Sequence, residues 1–385
     1  MEVANHGNQP TLLFIPDISG FTEFVNQTEI SHSQHIIEEL LEILIDANEI
    51  GLKVSEIEGD AILFYREGPP PTAAELLAQV QRMYVRFHAH LKLYESHRIC
   101  QCGACCTATN LALKFVVHHG DIRQNKIKDH SKLFGKDVIV AHRLLKNDVE
   151  HNEYVLFTNQ LVNACSNWVQ VKQAAWTDPE HGSGEYDFGK IEFCFITLEP
   201  LESHVPEPTI EDYSLHGATT KILGHESILE APIDLAFDVL SDLSIRHEWI
   251  IGIKDSDMLN GKITRNGSTH RCVIKRDESD PFMITHNFQT GKDYIAFTDS
   301  NQKKGIDTVF TLRRIGPTVT RLEIYYLMKK SIIKELIINL FMKKKLKDNL
   351  AKSCDKLNGM CKELATEGRQ HPAKIILHPV LAAAA

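Results

Sequence analysis

The chemistry most legible in this chain rests on two carboxylates. Asp17 ends the apolar run Leu12 to Pro16, and Asp60 follows Gly59 between two β-type runs, Leu52 to Ile57 and Ala61 to Tyr65. That spacing predicts a hairpin with Asp60 at its tip. Neither acid has a lysine or arginine alongside in sequence. Two such carboxylates suit a hard divalent cation and the phosphates it carries. They equally suit plain turns, where aspartate hydrogen-bonds its own backbone. The metal reading requires the two acids to converge in space, with neither buried against a permanent internal cation.

A second set of ligand types is soft. Cys100, Cys102, Cys105 and Cys106 crowd into seven residues with His97 just upstream. A Cys-x-Cys-x-x-Cys run can bind zinc, completed by His97 or by a second protomer. The other reading is a loop of reduced thiols. His118 and His119 read as hydrogen-bonded strand-end residues.

The elements that must hold these groups follow from periodicity. Thr11 to Pro16 reads as a buried strand. Ile36, Ile37, Leu40, Leu41, Leu44 and Ile45 recur at helical spacing within 31–50, as do Leu76, Leu77, Val80, Met83, Tyr84 and Phe87 within 72–94. Gly68 and Pro69 to Pro71 break the chain between hairpin and second helix. Leu111 to His118 and Ile122 to Ile127 read as two strands, and Asp137 to Leu145 as a helix. The order β, α, β, β, α, β is a ferredoxin-like arrangement.

On these residues the chain resembles the class III nucleotide cyclases. The resemblance is carried by Phe14-Ile-Pro-Asp-Ile-Ser-Gly-Phe-Thr22, Ile57-Glu-Gly-Asp-Ala61, His119-Gly-Asp121 and Phe134-Gly-Lys-Asp-Val-Ile-Val-Ala-His-Arg143. It spans about residues 10 to 160 and implies a dimer whose interface holds two magnesium or manganese ions on Asp17 and Asp60, with the Ile18 carbonyl as a further ligand. It implies that Ser19, Gly20, Phe21 and Thr22 cradle the triphosphate of a purine nucleotide, and that Arg143 stabilises charge in the transition state. The position of the family's transition-state asparagine is Ile139, which offers no hydrogen bond. Glu56 stands where guanylate-forming members read the base, with Lys132 aligned to its companion; Lys132 also reads as a solvated lysine, the reading favoured here. His119-Gly-Asp121 is similar to the family's strand turn.

Composition bounds the rest. The chain has 385 residues, which predicts two or three domains, and its 43% apolar and 24% charged content is that of an ordinary globular protein. A net charge of -9 argues against nucleic acid as main partner. No apolar run is long enough to span a bilayer and no signal-peptide pattern opens the chain, so a cytoplasmic protein is expected, with its nine cysteines reduced rather than paired.

Residues 10–199 are expected to form the cyclase-like domain, 200–219 a proline-marked linker, 220–366 a second domain and 367–385 a tail. In the second domain a strand (Ile222 to Leu229), a helix (Pro232 to Leu240), a short helix at Trp249, five or six meandering strands and a long helix (Ile332 to Leu364) resemble the START-like or SRPBCC helix-grip fold. The resemblance implies a cavity for a lipid or other hydrophobic ligand. Eight lysines between Lys329 and Lys352 back the apolar positions Ile333, Leu336, Ile337, Leu340 and Phe341. Such a helix can lie on an anionic membrane. Packing of its apolar stripe into the sheet is the expectation favoured here.

The fold class expected is therefore α+β: a ferredoxin-like cyclase-homology domain followed by a helix-grip domain. Two functions compete, a cyclase governed by a hydrophobic ligand and a catalytically inactive cyclase-fold scaffold that signals through its second domain. Chemistry within the second domain has no support, since no tight set of acid, base and cation stands out among its strands.

Overall fold

The computed structural model describes residues 9–27, 30–100, 102–127, 130–168, 171, 175–187, 189–209, 213, 215, 218–274 and 282–366. The expected tail and part of the expected linker lie outside them. The chain divides into two compact units, residues 1–96 with 102–208 and residues 97–101 with 209–385.

The first unit begins with β1 (Gln9–Ser19), α1 (Phe21–Gln27), α2 (Ile30–Asp46), β2 (Lys53–Glu58), β3 (Ala61–Glu67) and α3 (Ala73–Ser96). It continues with α4 (Gly103–Thr107), β4 (Ala112–Ile127), β5 (His130–Phe134), α5 (Lys136–Arg143), β6 (Tyr154–Thr158), α6 (Asn159–Ala164), β7 (Glu180–Tyr186) and β8 (Gly189–Thr197). The sheet order β2-β3-β1-β4, with β1 antiparallel to both neighbours, is the ferredoxin-like arrangement; β6, β8 and β7 extend it. Alternation along β1 sorts the core. Leu13 and Ile15 pack with Val138 and Ala141 of α5 on one face. Leu12 and Phe14 point to the other, as a period of two requires. Asp17 shares the α5 face with Leu13 and Ile15.

The two strands expected on either side of Gly120 are one continuous strand, β4. Gly120 is needed for close approach and not for a turn: a Cβ there would lie 2.2 Å from Cγ of Asp137. Asp137 uses that space to accept from the Asp121 backbone N–H (2.8 Å) and to meet His118 Nε2 (3.1 Å). The proline-marked stretch expected as linker begins instead as a 3₁₀ turn, Glu199–His204, with Leu201 fully buried.

The second unit comprises β9 (Ala218–Leu229), α7 (Ile233–Ser241), α8 (Arg246–Trp249), and β10 (Ile253–Met258) through β11 (Ser268–Ile274), β12 (Phe282–Gly291), β13 (Tyr294–Asn301), β14 (Ile306–Gly316) and β15 (Val319–Lys329). Three helical segments follow: α9 (Ile332–Ile337), a π-helical turn (Ile338–Met342) and α10 (Lys343–Thr366). The seven strands form an antiparallel sheet in the order β10-β11-β12-β13-β14-β15-β9. Leu350, Cys354, Leu357, Cys361 and Leu364 recur at helical spacing along α10 and pack with Phe297, Phe310, Leu322 and Ile324 of the sheet. Four of the earlier apolar positions do not, and the fifth, Ile333, lies outside the described side chains. Leu336, Ile337, Leu340 and Phe341 are exposed, which overturns the expectation that they pack into the sheet. Leu336 and Ile337 precede the π-helical turn and Leu340 and Phe341 lie within it, whereas the core-facing positions all follow it.

Candidate functional site

Asp17 and Asp60 are brought to one end of the first sheet by backbone hydrogen bonding. The register pairs Asp17 with Ala61, and the Ile18 N–H donates to the Asp60 carbonyl at 3.1 Å. The β2–β3 turn is thereby tied to the last residues of β1. Ser19 closes the strand, Gly20 turns the chain with φ +86°, and Phe21 and Thr22 open α1. A side chain at Gly20 would be strained at that φ. Phe21 lies over the β2–β3 turn, 3.7 Å from where a Cβ on Gly59 would stand.

The electrostatics bear on both readings of the acids. Burial, and after it the charge of Asp17, push the Asp60 carboxyl up to about 6. Two carboxylates held close resist ionising together unless a cation or a proton joins them. Part of that cation is already present. β1 and β4 pair Asp17 with Lys114 directly across the ladder, and Lys114 Nζ stands 2.9 Å from Asp17 Oδ2. Both side chains are largely buried. Lys114 also donates to the Leu145 carbonyl at 3.3 Å. Sequence proximity gave Asp17 no cationic neighbour; strand pairing gives it one.

The groups aligned with base recognition also meet. Glu56 Oε2 lies 3.9 Å from Lys132 Nζ, and Glu56 Oε1 lies 3.7 Å from His142 Nε2. His142 Nδ1 is 3.9 Å from Glu58. His142 went unremarked in the sequence because only the packing of α5 on the first sheet brings it to Glu56 and Glu58. Ile139 and Arg143, one helical turn apart on α5, are both exposed. Arg143 Nη2 faces Asp187 at 3.8 Å. Val54, Ile57 and Phe134 join Ile139 as exposed large apolar side chains of this unit.

Of the cysteine cluster, Cys100, Cys102 and Cys105 are gathered and Cys106 is not; it is exposed. The group is joined by His32 of α2, in place of the expected His97. His97 instead accepts at its backbone carbonyl from Asn266 N–H, 2.7 Å away.

The second unit holds a set that sequence reading missed. Arg246 Nη1 donates to Asp299 Oδ2 at 2.6 Å, and Thr285 Oγ1 donates to Asp299 Oδ1 at 2.6 Å. Both charged side chains are at most 2% exposed. Burial alone would raise the Asp299 carboxyl, but Arg246, His270 and Thr285 outweigh it and hold it below its ordinary value. His270 is fully buried, and desolvation pushes its imidazole down to about 4. Arg246 Nε and Nη2, both ring nitrogens of His270 and Trp249 Nε1 are buried with no partner among the described residues. Arg246, Asp299 and His270 lie on three separate elements, which is why no local motif announced them.

Comparison with known proteins places half of this chain. A model of a family described as a protein of unknown function, DUF2652, matches residues 37–154. The uncharacterized protein Rv2561/Rv2562 of Mycobacterium tuberculosis (strain ATCC 25618 / H37Rv) is 31% identical over 179 residues, covering 46% of this chain and 80% of that protein. The chain belongs to the family of Rv2561/Rv2562. The alignment leaves more than half of this chain outside it. Among solved structures it is similar to the guanylyl cyclase Cya2 (12% identity, 50% of this chain and 93% of that one, TM-score 0.36). It is also similar to the adenylyl cyclase CyaB from P. aeruginosa (12% identity, 49% and 94%, TM-score 0.34). A third is the catalytic core of a rhodopsin-guanylyl cyclase with converted specificity in complex with ATPalphaS (15% identity, 49% and 96%, TM-score 0.34). No helix among the described residues is long and apolar enough to cross a membrane.

Proposed function

We propose that the first unit binds a purine nucleoside triphosphate with divalent magnesium or manganese on Asp17 and Asp60, at the interface of a homodimer. The observation that carries this reading is the tie between the β2–β3 turn and the end of β1, which leaves two acids competing for positive charge. Glu56, Lys132 and His142 supply polar groups for a base, and exposed Val54, Ile57, Phe134 and Ile139 supply an apolar face for a second copy. Turnover to a cyclic nucleotide is slow, because Ile139 offers no donor and one missing transition-state donor costs about a hundred- to a thousandfold in rate. Titrating the full chain with GTP and ATP, with and without manganese, tests binding; mass spectrometry detects a cyclic product. Absence of any metal-dependent nucleotide binding overturns the reading. Ile139→Asn should raise turnover if the rest of the site is competent.

A second reading is favoured by the Lys114–Asp17 pair. If Lys114 is the permanent counter-ion, the unit is a scaffold with no metal and no turnover, and the ligand-dependent work belongs to the second unit. There the helix-grip resemblance points to a hydrophobic ligand. The buried N–H groups of Arg246, Trp249 and His270 suit an oxygen-rich head group, a carboxylate or a phosphate. Native mass spectrometry of the purified full chain, before and after addition of a long-chain fatty acid, tests that part; no bound species in either sample argues against it.

A further inference from the structure

We infer that His32, Cys100, Cys102 and Cys105 form a structural zinc site that fixes the start of α2 against the turn preceding β4. The ligand atoms of all four lie within 4.8 Å of one another. His32 Nδ1 stands 3.2 Å from Cys102 Sγ and 3.5 Å from Cys105 Sγ. Around a tetrahedral zinc, with Zn–S near 2.3 Å and Zn–N near 2.0–2.1 Å, neighbouring sulfur and nitrogen ligands are separated by about 3.6 Å. The two His32–sulfur distances fall within tenths of an ångström of that value, and the other ligand pairs, all under 4.8 Å, need at most about 1 Å of closure to meet one ion. Three thiolates and one imidazole also match zinc in softness, and they are too soft a set for magnesium or calcium.

The local chain is built to hold such a group. Cys102 caps α4, and its sulfur accepts the backbone N–H of Cys105 at 3.4 Å. An N–H directed at sulfur stabilises the thiolate form that a metal requires. Cys105 is buried and Cys102 half-buried, so the centre is screened from bulk water while His32 completes it from 70 residues away. Cys100 is joined to Cys102 through a single residue. α4 also packs on α1, the helix that opens at Phe21, so the metal would brace the Ser19–Thr22 turn as well as α2. The inference does not depend on nucleotide binding at that turn.

The test is metal analysis of the full chain purified under reducing conditions, followed by cobalt substitution. About one zinc per chain is expected, and cobalt should give the intense visible bands of tetrahedral thiolate coordination. His32→Ala and Cys102→Ser should each weaken zinc at least about a hundredfold against a competing chelator and lower the melting temperature. Cys106→Ser should change neither. If the chain purifies empty, zinc is added back, and uptake no stronger than that of the Cys102→Ser chain overturns the inference. Iron with sulfide-to-iron absorption in place of zinc overturns it too, as does zinc lost equally on Cys106→Ser.

Discussion

Each unit contains a sheet aspartate paired with a cation, Lys114 from the neighbouring strand in one and Arg246 from α8 in the other, and the two pairs differ in what closes over them. Arg246–Asp299 is sealed: 2% and 0% of the two side chains is exposed, and Thr285 takes the second carboxylate oxygen. Lys114–Asp17 retains 20% and 12%, sits at the end of a strand, and has a second acid beside it. An arginine in a dry interior is a permanent partner, since its charge cannot be neutralised and has nowhere to go. A lysine is a single flexible point charge, and at a partly wet strand end it can swing aside for a more highly charged ion. The contrast teaches that the same ion pair can be a fixture in one setting and a resting state in another.

The largest effect that bears on this contrast is expected from Asp299→Ala. It strands Arg246 in the interior and should cost about 3–5 kcal/mol in urea unfolding. Arg246→Met combined with Asp299→Leu should recover much of that loss, and if it does not, the pair is more than a counter-ion arrangement.

Acid should find the same region. His270 is held neutral in the fold, with its value lowered from 6.5 to about 4 by burial, whereas the unfolded chain protonates it near 6.5. A lowered folded value means the stabilisation is complete above pH 6.5 and is lost as pH falls through 4. On the order of 3 kcal/mol is at stake. Melting temperature followed from pH 7 to 4 should drop across that window, and the drop should shrink in His270→Phe.

Lys114→Met is the corresponding cut in the first unit and should cost less, about 1–3 kcal/mol. Manganese should restore the melting temperature of this variant if Asp17 and Asp60 accept a metal. If manganese leaves it unchanged, Lys114 is as permanent as Arg246 and the scaffold reading prevails.

The smallest effect is a proton linkage at Asp60. Its carboxyl is raised from 3.8 to about 6, so the fold loses stability as pH climbs through that interval and the group ionises. A bound cation reverses the penalty. Manganese affinity should therefore rise about tenfold per pH unit below 6 and level off above it. A flat profile from pH 5 to 7 would separate Asp60 from the metal.

Much of the first unit was legible because its signals are local. The hairpin with Gly59 and Asp60 at its tip, the helical stripes of α2 and α3, and the β, α, β, β, α, β order all follow from spacing within a few residues. Gly120 misled because a glycine serves close approach as readily as a turn, and only the Asp137 side chain from α5 distinguishes the two. The exposed apolar residues ahead of α10 misled because amphipathic spacing names a stripe without naming what covers it. Cys106 and His97 fall outside the gathered set, since a ligand set closes in three dimensions and nearness in sequence does not decide which side chains converge.

What the sequence determined by itself is the periodic content: which stretches are strands and helices, which faces are apolar, and where a carboxylate or a thiol is offered. Those follow from side-chain spacing and backbone preference, which act over a turn or two. The tertiary structure alone decided the partners. Lys114 opposite Asp17, Arg246 against Asp299 and His32 among the cysteines each join residues between 53 and 97 positions apart. Strand register and helix packing set those meetings, and a charge or a ligand takes its energy from the neighbour it meets in space.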